Sequence, residues 1–392
     1  MSQHAYAGNT AVVGIGATDF SKSSGRSELR LAVEACVAAC EDAGVDPSRV
    51  NGLSTFTMEN NTENEVMRSL GIQELTHFSR IHFGGGAPCA TVQYAAMAVN
   101  EGVADYVLCY RAFNERSGRR FGSGVQDQPA GATTEQAQYA WTSPYGLLTP
   151  ASWVAMFATR IMHEFGVTSE DFGRVAVADR AHAATNPAAH FYNRPITLEE
   201  HQASRWIVEP LHLLDCCQET DGGQAILVTT LERARDLKQK PVVISAAAQG
   251  MADQQQMMRS YFRDSLVGLP EMATCARQLW ETSGLGPDDI RTAVIYDHFT
   301  PFVLPQLEEF GFCGRGEAKD FIAEGNIDLG GRLPVNTHGG QLGEAYLHGM
   351  NGIAEGVRQV RGSAVNQLDA VGHVLVTAGT GVPTSALIVS QP

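Results

Sequence analysis

A short pattern that occurs twice constrains the fold of this chain more than any other feature of its sequence. The glycine at position 44, the proline at position 47 and the aliphatic residue at position 50 return 240 positions later, at 284, 287 and 290. Both copies follow a segment whose apolar residues recur at helical spacing, and a glycine commonly ends such a helix. The pattern therefore predicts an internal duplication, with chance recurrence of a helix-ending glycine and a proline as the alternative.

An apolar run typical of a buried strand precedes each of the two predicted helices. The first run is residues 11–16 and the second is residues 241–245. Each half then reads as strand, helix, strand, further helix and strand, and this alternation predicts α/β layers. We predict that residues 1–114 and 206–240 form the N-terminal half of one duplicated unit and that residues 241–392 form the C-terminal half.

The stretch between the halves, residues 115–205, is predicted to be an inserted loop and helix region. Its first part, residues 118–151, is rich in Gly, Gln, Thr and Pro. Residues 150–165 and 169–185 have helical patterns, and Ser169 is the candidate N-cap of the second helix. A long irregular insertion is usually a lid or a binding loop, so we expect this region to shape a ligand pocket.

The charge balance limits the classes of partner that the chain can bind. With 28 Lys and Arg against 43 Asp and Glu, the net charge is −15 at pH 7, which disfavours binding to nucleic acids and to anionic membranes. The first residues lack the pattern of a secretion signal, and no apolar run reaches about 18 residues, so we expect a cytoplasmic protein. The eight cysteines have no zinc-ligand spacing. We expect them to be reduced, and we predict no metal site.

Four segments together carry a resemblance to a known superfamily. They are VVGIGATDF near the N-terminus, GGGAPCATVQYAAMAVNEGVAD at residues 84–105, PLHLLDCCQETDGGQAIL at residues 210–227, and the C-terminal pair YDHFTPF and NTHGGQLGEAYLHGMNG. With these segments the chain resembles the thiolase superfamily, in the branch near the sterol-carrier-protein thiolases. The resemblance runs over nearly the whole chain. It implies a thiolase fold, in which duplicated βαβαβ halves form a layered αβαβα arrangement.

Two cysteine positions of the thiolases are altered in this sequence. A thiolase is acylated on a cysteine at the start of a buried helix, where the helix dipole favours the thiolate. An ungapped count back from residues 102–105 puts Gly85 at that position and Cys89 one helical turn further on. The late acid–base cysteine of the family has no counterpart in residues 376–381, VTAGTG. We therefore expect Cys89 to be a small buried residue rather than a nucleophile.

Two histidine positions of the thiolases hold tyrosines. Tyr296 falls on the histidine of the His-Asp-Cys-Phe motif, and Tyr346 falls on the histidine of the Gly-His-Pro motif. This pattern is similar to that of the thiolase-like aldolases of actinobacterial steroid side-chain degradation, which are often called lipid-transfer proteins. The resemblance implies that the two tyrosines are the catalytic pair, with Tyr296 as the base and Tyr346 as the acid.

The reaction implied by this resemblance is a retro-aldol cleavage. A 17-hydroxy steroid with a short (22-oyl) CoA thioester side chain would give a 17-ketosteroid and propionyl-CoA through a thioester enolate, without a covalent acyl-enzyme. A phenol with a reference pKa near 10 needs neighbours that stabilise its anion. We expect His298 and His338 to give this support, and Asp297 to orient one of them.

The phosphates of CoA need a local basic site on so acidic a protein. The densest basic cluster lies in the segment RAFNERSGRRFG, and the turn after His338 resembles the family's Gly-Gly turn, where the backbone approaches the thioester. The predicted CoA-binding residues are therefore Arg111, Arg116, Arg119, Arg120, Gly339 and Gly340. A solvated or dimer-facing loop is the alternative for the arginines. No separate cofactor is expected, because CoA is part of the substrate.

The resemblance also implies protein partners. Thiolase-fold proteins are normally homodimers. The aldolases that the chain resembles also need a small OB-fold partner with a zinc ribbon, which is associated with an acyl-CoA hydratase, and any zinc would belong to that partner. Two other functions stay open: a noncatalytic acyl-CoA or sterol carrier or scaffold, and a thiolase-type acyltransferase that uses Cys89.

Overall fold

The structure is a computed structural model that describes residues 4–82, 84–118, 140, 142–255, 258, 260–380 and 384–392. The strands in these residues are β1 (Thr10–Ala17), β2 (Gly52–Phe56), β3 (His77–Ile81), β4 (Val107–Asn114), β5 (Trp206–Val208), β6 (Leu211–His212), β7 (Asp221–Thr230), β8 (Val242–Gly250), β9 (Thr292–Val294), β10 (His373–Ala378) and β11 (Thr384–Ser390). The α-helices in these residues are α1 (Glu28–Ala43), α2 (Glu63–Leu70), α3 (Pro88–Asn100), α4 (Pro150–Phe165), α5 (Ser169–Thr185), α6 (Leu198–Ala203), α7 (Leu231–Ala234), α8 (Pro270–Ser283), α9 (Val303–Glu309), α10 (Ala318–Ala323), α11 (Gly340–Gly343) and α12 (Met350–Arg361).

One large sheet contains nine of these strands, and the two halves of the chain have the same strand order in it. Read outward from the junction of β1 and β8, the N-terminal half is β1-β7-β4-β2-β3, and the C-terminal half is β8-β11-β10-β9. In the C-terminal half, an isolated parallel bridge between Ala293 of β9 and Val335 occupies the position of the fifth strand. In both halves the second strand is antiparallel to the first and the third, and the third is parallel to the fourth. This topology confirms the predicted duplication.

The repeated glycine and proline mark the same turn in both halves. Helix α1 ends at Gly44 and helix α8 ends at Gly284, each with a φ of 71°. This left-handed conformation favours glycine because a side chain there would be strained. A short 3-10 turn beginning at Pro47 or at Pro287 follows and leads into β2 or β9. The sequence repeat therefore encodes a helix end and the approach to the next strand.

Helices α3 and α12 form a layer on one face of the sheet. Val92 of α3 and Ile353 of α12 share an apolar cluster with Val12 of the central strand β1. The neighbouring β1 residues Ala11 and Val13 point to the other face and pack against α1, because side chains alternate across a strand. The sheet thus carries helices on both faces, and the segments that lead into α3 and α12 line a common cavity.

The inserted region contains the two helices that the sequence predicts. Helices α4 and α5 have the expected bounds, but the N-cap of α5 is Thr168 rather than Ser169. Thr168 donates its hydroxyl to the carboxylate of Asp171 at 2.9 Å in a capping box, and Ser169 is the first helical residue. Most of residues 118–151 lie outside the described part of the chain. The predicted bounds of the two halves and of the insertion stay predictions.

Among the helices of the described residues, none combines the length and the apolar character that crossing a bilayer requires.

Candidate active site

A cavity of about 740 Å³ opens where the segments that lead into α3 and α12 meet the end of β9. This volume lies within the range usual for small-molecule sites. Residues from both halves and from the insertion form its wall: Lys22, Gly84, Gly85, Glu115, Arg116, Thr149, Pro150, Ala151, Trp153, Arg205, Ile207, Leu213, Cys216, Cys217, Gln218, Glu219, Met258, Tyr296, His298, Phe299, Tyr346, Gly379 and Thr380.

Tyr296 lies just past the end of β9, in a buried frame of hydrogen bonds. Its N–H group donates to Thr377 Oγ1 at 2.9 Å, and its carbonyl oxygen accepts from Gln306 Nε2 at 2.8 Å. The Thr377 hydroxyl donates in turn to Gln306 Oε1 at 2.6 Å. The tyrosine is 2% exposed. Because α9 and β10 pair with both backbone groups, the ring is held firmly at the cavity wall.

Tyr346 reaches the same wall from the loop between α11 and α12. Its N–H group donates to Thr220 Oγ1 at 2.9 Å, and it forms an isolated parallel bridge with Glu219. The Tyr346 and Tyr296 side chains belong to one buried cluster, and a hydrogen bond joins their hydroxyl groups. The structure therefore brings the two predicted catalytic tyrosines into direct contact.

Burial sets the proton affinity of this pair. Removal from water raises the pKa of both phenols well above the ordinary value of 10. At Tyr296 the hydrogen bond with Tyr346 opposes this shift and lowers the pKa. At Tyr346 the negative charge of an ionised Tyr296 raises the pKa further, as does the shared hydrogen bond. The contact between the two phenols therefore favours ionisation of Tyr296 over ionisation of Tyr346.

Gly85 leaves the space that the Tyr296 hydroxyl occupies. A Cβ atom on Gly85 would lie 2.0 Å from the hydroxyl oxygen of Tyr296 and 2.7 Å from its Cζ atom. A cysteine at this position and Tyr296 in its observed place exclude each other for that reason. Gly379 closes the site from behind, since its own Cβ would lie 2.2 Å from the Cα atom of Gly86. Backbone therefore packs against backbone beside the phenol.

Cys89 lies in the first turn of α3 and is not part of the cavity wall. Its side chain is completely buried, and its thiol donates to the carbonyl oxygen of Val376 at 3.6 Å. Burial raises the pKa of the thiol well above 9. An enclosed, protonated thiol is a poor nucleophile.

Comparison with known proteins identifies the family of the chain. Residues 252–390 match the family model described as Thiolase C-terminal domain-like. The chain is 65% identical over 381 residues to the steroid side-chain-cleaving aldolase of Thermomonospora curvata, with 97% of each chain covered. It is 66% identical over 381 residues to the 17-hydroxy-3-oxo-4-pregnene-20-carboxyl-CoA lyase of Mycobacterium tuberculosis, with 97% of this chain and 99% of that one covered.

A solved structure named Ltp2-ChsH2(DUF35) aldolase matches over 99% of each chain, with 64% identity and a TM-score of 0.95. The chain belongs to the steroid side-chain-cleaving aldolases of the thiolase superfamily. The predicted family and the predicted thiolase fold are both confirmed. The aldolase assignment also explains why the nucleophile position is a glycine that the Tyr296 hydroxyl fills.

His298 is the predicted supporting histidine that lines the cavity of this aldolase. Its ring centroid lies 4.8 Å from that of Tyr296, and it stacks on Phe302 at 5.2 Å. Its Nδ1 atom has no hydrogen-bond partner in the described part of the chain. Burial lowers the pKa of His298 to about 3, so the imidazole is neutral at physiological pH. It can exchange a hydrogen bond with a ligand but carries no charge.

His338 and Asp297 lie away from the cavity wall, so their predicted supporting roles need correction. His338 Nε2 lies 3.8 Å from Glu344 Oε2, and burial lowers the pKa of the imidazole to about 4. The Asp297 carboxylate accepts the N–H groups of Gln341 at 2.8 Å and Leu342 at 3.1 Å. Both of its oxygens thus cap the start of α11, and Asp297 orients this short helix rather than a histidine.

The burial of Arg111 contradicts its predicted role in binding CoA. It is 2% exposed, and its guanidinium donates to Glu59 Oε2 at 3.1 Å and to the Met58 carbonyl oxygen at 2.7 Å. The ring of Phe113 lies beneath it at 4.0 Å. A cation enclosed in this way cannot reach a phosphate, and Arg111 is a structural residue of β4.

The other predicted CoA-binding residues divide into two groups. Arg116 is exposed on the cavity wall, and its Nε atom lies 4.0 Å from Glu219 Oε2. Arg119 and Arg120 lie outside the described residues. Gly339 and Gly340 are buried and are not part of the cavity wall. A Cβ atom on Gly339 would lie 2.5 Å from the Cβ atom of Ala183, and one on Gly340 would lie 2.1 Å from Asp297 Oδ2. These glycines permit tight packing in the interior, which speaks against their predicted contact with the thioester.

The sequence did not predict several ionisable residues of the cavity wall, namely Lys22, Glu115, Arg205 and Cys217. Glu115 is the most buried of them by its 2% exposure. Because Glu115 is next to Arg116 in the sequence, the pattern predicts a solvent-exposed run of charges there. The signal that points to Glu115 is its place directly after β4, because ligand sites of α/β sheets lie beyond the carboxyl ends of their strands.

Proposed function

We propose that this protein is a carbon–carbon lyase that cleaves a 17-hydroxy steroid carrying a 22-oyl-CoA side chain into a 17-ketosteroid and propionyl-CoA. The observation that carries the proposal is the hydrogen-bonded pair of Tyr296 and Tyr346 on the cavity wall, in the space that Gly85 leaves open. The names of the two relatives support the steroid CoA thioester as substrate.

The tyrosine pair can carry both proton transfers of the reaction. The phenolate form of Tyr296 accepts the proton of the 17-hydroxyl group. As the C17–C20 bond breaks, the oxygen becomes the 17-ketone and the electron pair moves into the thioester enolate. Tyr346 then gives its proton to C20, and propionyl-CoA is formed. Transfer of a proton from Tyr296 to Tyr346 along their hydrogen bond restores the starting state.

This scheme needs no covalent acyl-enzyme. The thiolase nucleophile position is Gly85, and Cys89 is enclosed in α3 with a raised pKa. The ring of His298 packs beside that of Tyr296, with the centroids 4.8 Å apart, and its low pKa keeps it uncharged there. No cofactor beyond the CoA of the substrate takes part in the scheme.

The CoA phosphates are proposed to bind to Arg116 and Arg205, two exposed arginines on the cavity wall. Each arginine offers a fork of donors that suits phosphate oxygens. We expect Arg116→Glu to raise the KM for the acyl-CoA by about tenfold, and Arg205→Glu to act in the same direction. Because exposed ion contacts are screened by salt, the two effects should shrink at high ionic strength. An unchanged KM at low salt would remove both residues from the CoA site.

We propose two kinds of protein partner. The name of the structural relative joins an aldolase component to a DUF35 component, which supports an OB-fold partner of the predicted kind, associated with a hydratase. A homodimer is supported by exposed apolar residues on the edge strand β3 and on α3: Phe78, Tyr94 and Met97. The proposed location is the cytoplasm.

The experiment that tests the proposed function uses the full chain with and without a DUF35-type partner. We expect the 17-hydroxy steroid 22-oyl-CoA to yield equal amounts of 17-ketosteroid and propionyl-CoA, measured by mass spectrometry. The matched control is the same thioester without the 17-hydroxyl group, which has no proton for Tyr296 to accept and should stay intact. Binding of the substrate without cleavage, in the presence of the partner, would contradict the proposal.

A further inference from the structure

Glu115 faces the tyrosine pair from the N-terminal half and has no role in the scheme above. It follows β4 directly, is 2% exposed and lines the cavity. Its Oε2 atom lacks a hydrogen-bond partner within the described residues. A buried polar atom left without a partner is destabilising. At a cavity wall, a bound ligand can remove this cost.

The surroundings of Glu115 favour the neutral carboxyl group. Burial raises its pKa well above 4.5, and the nearby Glu219 raises it further, while Arg111 and Lys22 oppose the shift. Neither cation pairs with Glu115, since Arg111 is bound to Glu59 at 3.1 Å and Lys22 Nζ donates to the Glu219 carbonyl oxygen at 2.6 Å. These surroundings therefore favour the form of Glu115 that has a proton to donate towards the cavity.

Two substrate oxygens change during the proposed cleavage, and their needs differ. The 17-oxygen loses a proton and needs a base, which Tyr296 provides. The thioester oxygen gains negative charge as the enolate forms and needs a donor. A carboxylate beside the enolate would repel it, whereas a protonated carboxyl group stabilises it through a hydrogen bond.

We propose that Glu115 is a further catalytic residue, whose neutral carboxyl group donates a hydrogen bond to the thioester carbonyl oxygen of the substrate and stabilises the enolate. This inference rests on the proposed retro-aldol function. No bond to Glu115 forms and its proton is not transferred, so the atom balance of the cleavage is unchanged. Glu115 thereby gives the N-terminal half a direct part in the reaction.

Two substitutions separate a hydrogen-bond donor from a carboxylate base. Glu115→Ala removes the donor and should lower the single-turnover cleavage rate by about 10²–10³-fold. Glu115→Gln has nearly the same shape and a neutral amide that donates, so we expect it to stay within about tenfold of the wild type. The matched control is Glu101→Gln, the same change at an exposed residue beyond the end of α3, which should leave the rate unchanged.

An infrared difference spectrum of wild type minus Glu115→Gln reads the protonation state without any turnover. We expect the carbonyl band of a protonated carboxylic acid at neutral pH, with a frequency that shifts when the intact 17-deoxy thioester binds. A carboxylate band instead, or a wild-type rate in Glu115→Ala, would overturn the inference. If Glu115→Ala does not fold, a Glu115→Gln rate lowered by 10²-fold or more would overturn it in the same way.

These outcomes are distinct from failure of the proposed function. If the wild type does not cleave the 17-hydroxy thioester, the retro-aldol proposal itself fails. If the wild type cleaves it and Tyr296→Phe does not, while Glu115→Ala remains fully active, only the role of Glu115 is refuted.

Discussion

The two halves of this chain share one topology, yet residues at equivalent positions have different roles. At the offset of 240 positions that relates the halves, Phe56 is the counterpart of Tyr296. Phe56 is completely buried at the end of β2, where its ring lies 5.5 Å from the Arg111 guanidinium. Tyr296 lies just past the end of β9 and meets the cavity. One hydroxyl group thus separates a packing residue from a proposed base.

The segments that lead into the central helices differ in a complementary way. Before α3 the chain has the three glycines 84–86, and before α12 it has Tyr346. The half in which a thiolase carries its nucleophile therefore contributes space, and the other half fills that space with the Tyr296 hydroxyl. A duplicated fold allows the reacting groups to be concentrated in one half while the strand order of both is kept.

Tyr296→Phe makes the two halves alike and is expected to have the largest effect. Loss of the hydroxyl removes the base, so the rate of cleavage should fall by about 10²–10⁴-fold, measured with the 17-hydroxy steroid 22-oyl-CoA. The ring still fills its site, and the thermal midpoint should change little. Tyr192→Phe, the same change at an exposed tyrosine, is the control. A rate within about tenfold of the wild type would remove Tyr296 from the mechanism.

The pH dependence of the single-turnover rate distinguishes phenols from imidazoles. Burial raises the pKa of Tyr296 above 10, whereas it lowers the pKa of His298 to about 3 and that of His338 to about 4. The rate should therefore rise by about tenfold per pH unit from pH 6 to 8, as the phenolate fraction grows. A rate that stays constant from pH 6 to 8 would show that one of these imidazoles, already deprotonated in this range, acts as the base instead.

Gly85→Ala tests whether the N-terminal half really supplies the space. Its Cβ would lie 2.0 Å from the Tyr296 hydroxyl oxygen, so the phenol must move, and a displacement of this size can cost about 10²-fold in rate. Gly84→Ala is the neighbouring comparison, since its Cβ would meet only the flexible Met58 side chain at 2.5 Å. Equal losses in both variants would mean that the position of the phenol is not what Gly85 protects.

Asp179→Asn tests the buried carboxyl pair formed by Asp179 and Asp297. The position equivalent to Asp297 in the N-terminal half is Thr57, which has no carboxyl group. Burial raises the pKa of Asp297 to about 6, and it raises that of the hydrogen-bonded Asp179 well above 3.8. A folded pKa above the unfolded one gives stability at low pH that is lost as the pH rises through about 6. The amide of Asn stays neutral and can donate to Asp297. The melting temperature of the variant should therefore fall less than that of the wild type between pH 4.5 and 7.5, and parallel curves would contradict this explanation.

The fold and the tyrosine pair could be predicted because both leave local signals. The repeat at Gly44 and Gly284 marks a helix end that only the local backbone determines, and an ungapped count along one helix is enough to find Gly85. Tyr296 and Tyr346 lie within motifs that occur in the same order along this chain as in the thiolase superfamily. Such local signals can be recognised without knowing which residues are in contact across the fold.

The supporting residues could not be assigned because their roles depend on partners far away in the sequence. Arg111 belongs to a basic run, but it lies on a strand between Glu59 and Phe113 and is buried there. Asp297 is next to the proposed base in the sequence, yet its carboxylate oxygens accept hydrogen bonds from backbone N–H groups of α11. Glu115 looks like a surface charge until the fold places it in the cavity.

The most direct test of the account is cleavage of the 17-hydroxy steroid 22-oyl-CoA in D₂O by this chain together with the proposed DUF35-type partner, followed by mass spectrometry of the products and of the intact protein. The account predicts a 17-ketosteroid, propionyl-CoA with deuterium at C2 from protonation of the enolate, and a protein of unchanged mass throughout turnover. Propionyl-CoA without deuterium, or a protein that carries an acyl group during turnover, would contradict it.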